Sequence, residues 1–144
     1  MALKDKRISE SREIEPALAE AIRARLKQGK LDCAAAFDIA RERGVAPLSV
    51  GKAADSLGIH LSHCQLGLFG FPGHAKAWER PGWKDVDIPI DLEPAVRSAL
   101  DPDGSLSCAA AWTVADRFRV GKAQVGFLAN RWNIKIKRCQ LGAF

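Results

Sequence analysis

Four cysteines offer the most versatile chemistry in this chain. Cys33 and Cys64 are 31 residues apart, and so are Cys108 and Cys139. Thiolates ligate soft metals or cycle through redox states, and a thiol at a helix start is acidified by the helix dipole. The spacing lacks a Cys-x-x-Cys or His-x-x-x-His pair, so it does not carry a zinc signature. His60 and His63 precede Cys64, but Lys135 and Arg138 stand at the corresponding places before Cys139. A metal site common to both halves would therefore need Cys33, Cys64, Cys108 and Cys139 alone. The reading adopted is no metal and no cofactor. The cysteines then serve as small apolar fillers at a helix–strand junction, with metal binding and redox chemistry as the alternatives. His74 stands alone between the halves.

The second chemistry is phosphate binding. The net charge of +5 is unevenly placed: residues 108–144 hold seven Lys/Arg against one acid, while residues 70–107 hold four against seven. Lys122, Gln124, Asn130, Arg131, Lys135, Lys137 and Arg138, with Lys52 earlier in the chain, are the candidate nucleic-acid contacts. Cations supply sequence-independent affinity for a polyanion, and Gln or Asn can read base edges. The same cations also suit an ordinary solvated surface. Catalysis is not expected. No phosphate-binding glycine loop is present, nor any spaced nucleophile–base arrangement. The acids Asp85, Asp87, Asp91 and Glu93 alternate ahead of a predicted helix, where negative charge is favoured.

The elements that position these residues come as a duplication. Residues 33–69 align without a gap to 108–144, with fifteen of 37 positions identical. The shared skeleton opens with Cys-Ala-Ala-Ala and closes with Cys-Gln-Leu-Gly-x-Phe. Upstream, Leu18, Ile22 and Leu26 recur every four residues, and Leu92, Val96 and Leu100 repeat the pattern. Each copy therefore predicts an amphipathic helix (14–28, 92–100) and a second helix (32–43, 107–118) with Asp32 or Ser107 as N-cap. A third helix follows (47–57, 122–132), opened in the first copy by Pro47. An alternating stretch, 59–64 or 134–139, then reads as one strand. The Gln-Leu-Gly-x-Phe ending is expected to tuck its Leu and Phe into the core, with Gly67 and Gly142 permitting a bend. Gly51 and Gly126, matched in the third helices, indicate close helix approach, the third helices packing on each other or on a partner protein.

The second and third helices resemble the helix-turn-helix of DNA-binding regulators. In the first copy the match runs from Ala36 to Asp55, with Ile39-Ala40, Gly44-Val45, Val50 and Ala53 at the expected places. In the second it rests on Val114-Ala115, Phe118, Val120, Val125 and Leu128, with Arg119 where the first copy has Gly44. A small Ala lets two helices cross closely, and a Gly relieves the turn. Gly104-Ser105-Leu106-Ser107-Cys108-Ala109-Ala110 is similar to the start of the second helix in LysR-type and molybdate-responsive regulators.

The expected fold is thus mainly α: two tandem helix-turn-helix, winged-helix-like repeats, each with a short strand, the copies completing each other's sheet. The divisions are a charged arm (1–13), repeat 1 (14–69), a Pro/Gly/Trp linker (70–91) and repeat 2 (92–144). Trp78 and Trp83 are expected to pack on the repeats rather than leave the linker solvated. The resemblance implies a DNA-binding or DNA-associated transcriptional regulator. Duplex DNA would be its partner, held mainly by the backbone contacts of repeat 2. The third-helix starts, Ala46-Pro47-Leu48 and Gly121-Lys122-Ala123, are poor base readers. The alternative is therefore a non-catalytic adaptor whose apolar third-helix faces bind a protein partner. No apolar run reaches membrane-span length, and residues 1–15 lack a signal-like apolar stretch, so the expected compartment is the cytoplasm.

Overall fold

The computed structural model describes residues 15–84 and 87–144. The arm expected over 1–13, the helix start expected at 14, and Asp85 lie outside them. The chain is mainly helical with a few two-residue strands. It divides into two units. The first runs to Ser62 and also takes Leu141–Ala143; the second is His63–Gln140 with Phe144.

In the first unit, α1 (Pro16–Ala24), α2 (Cys33–Arg43) and α3 (Pro47–Ser56) pack against one another. Pro16 and Pro47 occupy first-turn positions, where a missing N–H costs nothing. Helix α1 stops well short of residue 28. The chain turns at Gln28 and Gly29, both at positive φ, and Lys27 and Lys30 exchange backbone hydrogen bonds across the turn. Helix α2 ends at Gly44, whose φ of 65° is left-handed, and the Val45 N–H donates back to the Ala40 carbonyl. Ala40 is 4% exposed, so the small residue does sit at the helix crossing, with Ile22, Ile39 and Val50 fully buried.

The second unit repeats this order with α4 (Leu92–Ser98), α5 (Cys108–Phe118) and α6 (Lys122–Arg131). Ala115 is fully buried in a core that includes Leu92, Val96, Leu106, Val125 and Leu128. The equivalence extends to backbone strain. Arg119 adopts φ 55° where Gly44 has 65°, and Asn133 adopts 59° where Gly58 has 72°. The Ser107 hydroxyl accepts from the Ala110 N–H and caps α5. Its counterpart Asp32 is instead drawn toward Ser62, whose hydroxyl donates to it at 3.0 Å.

The strands differ from the sequence expectation. Only two residues of each alternating stretch are strand, and each pairs within its own repeat. β1 (Leu31–Asp32) lies parallel to β2 (Leu61–Ser62), and β3 (Leu106–Ser107) parallel to β4 (Ile136–Lys137), with Leu31 facing Leu61 and Leu106 facing Ile136. The copies therefore do not complete one sheet. A parallel pair needs a crossover, and here the second and third helices supply it, so the strand is not the arm of a hairpin.

The closing segments follow another plan. Leu66 and Leu141 are buried as expected, and Gly67 and Gly142 have φ of 79° and 78°. Leu66, from repeat 1, lies in the core of the second unit; Leu141, from repeat 2, belongs to the first unit. The second unit thus holds the closing segment of repeat 1, and the first unit holds Leu141–Ala143 of the closing segment of repeat 2. The phenylalanines are less buried than expected: Phe144 is 45% exposed and meets Phe69 edge-on.

Candidate interaction faces of the third helices

The third helix is the element on which a helix-turn-helix presents its base-reading side chains. In the second unit this helix, α6, is covered by the linker. Trp78 and Trp83 lie 6.4 Å apart and meet the Phe127 ring at 5.7 and 5.8 Å. A short 3-10 turn, Ala77–Glu79, carries Trp78 to α6, and Arg80 stacks over Phe71 at 4.6 Å. Gln124 points into this cover. Its amide donates to the Lys84 carbonyl at 3.0 Å, and its side-chain oxygen is buried without a hydrogen-bond partner. Lys122 lies 4.8 Å over the Trp112 ring and 3.6 Å from Asp116. Arg131 stacks over Phe127 at 5.1 Å. Asn130, the remaining candidate contact on α6, is exposed.

Lys135, Lys137 and Arg138 are exposed. The loop before β3 brings acids to two of them, with Lys137 3.2 Å from Asp103 and Arg138 3.5 Å from Asp101. The Ser105 hydroxyl and N–H both donate to Asp103, and together with Lys137 they hold its carboxyl well below the usual carboxylate range. Nothing local in Asp101-Pro102-Asp103-Gly104 signals this electrostatic role. Pairing β3 with β4 is what places these acids beside the cations. Lys52 is exposed on α3 in the first unit.

The matched glycines show what the third helices approach. A Cβ added to Gly51 would lie 1.8 Å from the Leu141 carbonyl oxygen, and one added to Gly126 would lie 1.9 Å from that of Leu66. Neither glycine serves a helix–helix crossing. Each opens a notch in which the backbone of a Cys-Gln-Leu-Gly segment lies directly on the helix. Beside the first notch, the exposed Leu48 comes within 2.9 Å of a Cβ built on Gly142.

Cys33, Cys64 and Cys108 are buried and Cys139 is half-buried. Burial pushes the Cys64 and Cys108 thiols up, so Cys108 is not acidified despite opening α5. Desolvation disfavours the thiolate more than the helix start favours it. The Gln140 amide donates to the Cys108 sulfur at 3.4 Å. Among the described residues, no three His, Cys, Asp or Glu side chains are grouped so as to hold a metal ion. His63 packs its ring edge-on to Phe71 at 5.4 Å. Among the described residues, no helix is long and apolar enough to cross a membrane.

Compared with models of known protein families, with curated proteins and with solved structures, the chain matches none.

Proposed function

We propose that this protein is a non-catalytic adaptor whose helix-turn-helix units bind polypeptide along their third helices. One observation carries the reading: in both units the third helix has a glycine notch filled by a Leu-Gly turn of peptide backbone. Two notches of one design, filled by segments of one sequence pattern, form a repeated recognition arrangement. The helix contributes shape, and the segment contributes a buried leucine. The cover over α6 supports the same reading, because a side chain held under tryptophans does not enter a DNA groove. The test is a titration of a labelled Cys-Gln-Leu-Gly-Ala-Phe peptide into Leu141→Asp protein, in which the Gly51 notch loses its leucine. Saturable binding that disappears on adding Gly51→Ala supports the adaptor reading. Absence of binding at high micromolar peptide refutes it.

A second reading, as a DNA-associated regulator with winged-helix-like repeats, keeps one favourable observation. Lys135, Lys137 and Arg138 remain exposed together around β4. Their contacts would be to the phosphate backbone, giving affinity without base specificity. Such binding to duplex DNA would fall steeply between low and moderate salt, and neutralising Lys135, Lys137 and Arg138 would abolish it. No detectable binding at low salt would eliminate this reading.

A further inference from the structure

The two repeats diverge where their first and second helices meet. In the first unit that junction is spanned by two ion pairs. The Arg25 guanidinium, just past α1, reaches Glu42 of α2 at 2.6 Å, and Arg43 of α2 reaches Glu15, just before α1, at 3.0 Å. The repeat alignment carries Glu15, Arg25, Glu42 and Arg43 onto Pro89, Ala99, Arg117 and Phe118. Arg25 and Ala99 each cap the C-terminal end of their helix, so backbone position is kept while the charge is lost. Neither ion pair can form in the second unit. There α4 and α5 bound an open cleft of about 390 Å³, lined by Asp91, Pro94, Ala95 and Ser98 from one side and by Arg117 and Phe118 from the other.

The chemistry of this lining selects a ligand. Asp91, Pro94, Ala95 and Ser98 fall at the three- and four-residue intervals of a single helix stripe. Arg117 is exposed, and among the described residues no acid pairs with it. Its guanidinium lies over the Phe118 ring at 5.3 Å. Stacking occupies the face of the guanidinium and leaves its N–H fork in the plane, the geometry that takes a carboxylate. Phe118, Pro94 and Ala95 offer apolar contact, and the Ser98 hydroxyl offers a hydrogen bond. Asp91 balances the charge of Arg117, so a dianion or polyanion that gains the arginine also meets a carboxylate. The volume falls within the roughly 300–1,000 Å³ of small-molecule sites.

We propose that the cleft between α4 and α5 is a binding site for a small organic monocarboxylate with an apolar body. Arg117 pairs with the carboxylate, and Phe118, Pro94 and Ala95 cover the body. The site shares no residue with either glycine notch, so it stands or falls independently of the adaptor reading.

The test titrates isotopically labelled full-length protein with phenylacetate and with isovalerate, followed by backbone amide chemical shifts. Saturable shifts centred on Ala95, Ser98, Arg117 and Phe118 are expected. Acetate and phenylacetamide, each lacking one half of the ligand, should bind at least about tenfold more weakly. Ala99→Arg together with Arg117→Glu grafts the Arg25–Glu42 pair of the first unit onto the second and should abolish binding. Circular dichroism checks that this double variant retains its helices. If it does not, Arg117→Gln removes the charge alone and should weaken binding at least about tenfold. No shifts at high millimolar ligand, or shifts centred elsewhere, overturn the proposal. So do shifts that acetate reproduces equally, which mark loose pairing with surface cations, and undiminished binding to a folded variant.

Discussion

Replacing Gly126 by alanine sets two effects of opposite sign against each other in one helix. Within an exposed helix the change gains about 1 kcal/mol, because alanine restricts the unfolded chain. At Gly126 the new Cβ would sit 1.9 Å from the Leu66 carbonyl oxygen and 2.9 Å from its carbon. Even a close carbon–oxygen contact in a protein is about 3.3 Å, so helix and segment must separate by roughly 1.4 Å. The segment has little room to retreat. Leu66 is fully buried, the Gly67 N–H donates to the Cys64 carbonyl at 2.9 Å, and the Ala77 N–H donates to the Gly67 carbonyl at 2.8 Å. Overpacking a constrained site costs about 3 kcal/mol, at the upper end of its usual range, which leaves a net loss of about 2 kcal/mol. For a unit of this size that lowers the melting temperature by roughly 8–16 °C. Urea unfolding followed by tryptophan fluorescence reads the effect directly. All four tryptophans, Trp78, Trp83, Trp112 and Trp132, lie in the second unit, and Phe127 beside the mutated position touches two of them. A midpoint equal to or above that of the unmodified protein, with an unchanged slope, would refute the notch argument.

Gly51→Ala meets the same clash at 1.8 Å, but its tryptophan-detected midpoint should stay within error because no tryptophan lies in the first unit. Hydrogen exchange should instead show lost protection at residues 141–143; unchanged protection there would count against the packing described. Arg119→Gly relieves a left-handed φ of 55° at the end of α5. It should raise the second unit's stability by up to about 1 kcal/mol, the strain removed being partly offset by glycine's greater freedom when unfolded. A lowered urea midpoint would show that Arg119 contributes more than it strains. The thiols of Cys64 and Cys108 are pushed up by burial. Folding therefore retains their protons, and stability should be intact below the unfolded thiol pKa of about 8.5 and fall as pH rises beyond it. At mildly alkaline pH a thiol reagent should modify the half-buried Cys139 first, and rapid labelling of Cys64 or Cys108 in the folded protein would contradict their burial.

The duplication and helical content were legible because both are local. Leu18 and Ile22, or Leu92 and Val96, repeat at helical spacing wherever the helix docks, and Ala40 and Ala115 announce a close crossing by size alone. The strands were overestimated because alternation at 59–64 and 134–139 records which side chains face inward, while ladder length depends on the partner strand. The candidate contacts were chosen by residue type, and type does not tell a free cation from one facing Asp101, Asp103 or Trp112. The elements that face them lie far away in sequence.

Residue pattern alone was enough to show one helical unit occurring twice, with a small alanine at each expected helix crossing and a Cys-Gln-Leu-Gly segment closing each copy. Folding in three dimensions added where Leu66 and Leu141 are buried, and that the glycines of α3 and α6 receive a carbonyl rather than another helix. Two closing segments that share Cys, Gln, Leu, Gly and Phe fit either notch equally well by pattern. Which notch each one fills depends on contacts far away in sequence, and the segment's own residues do not encode them.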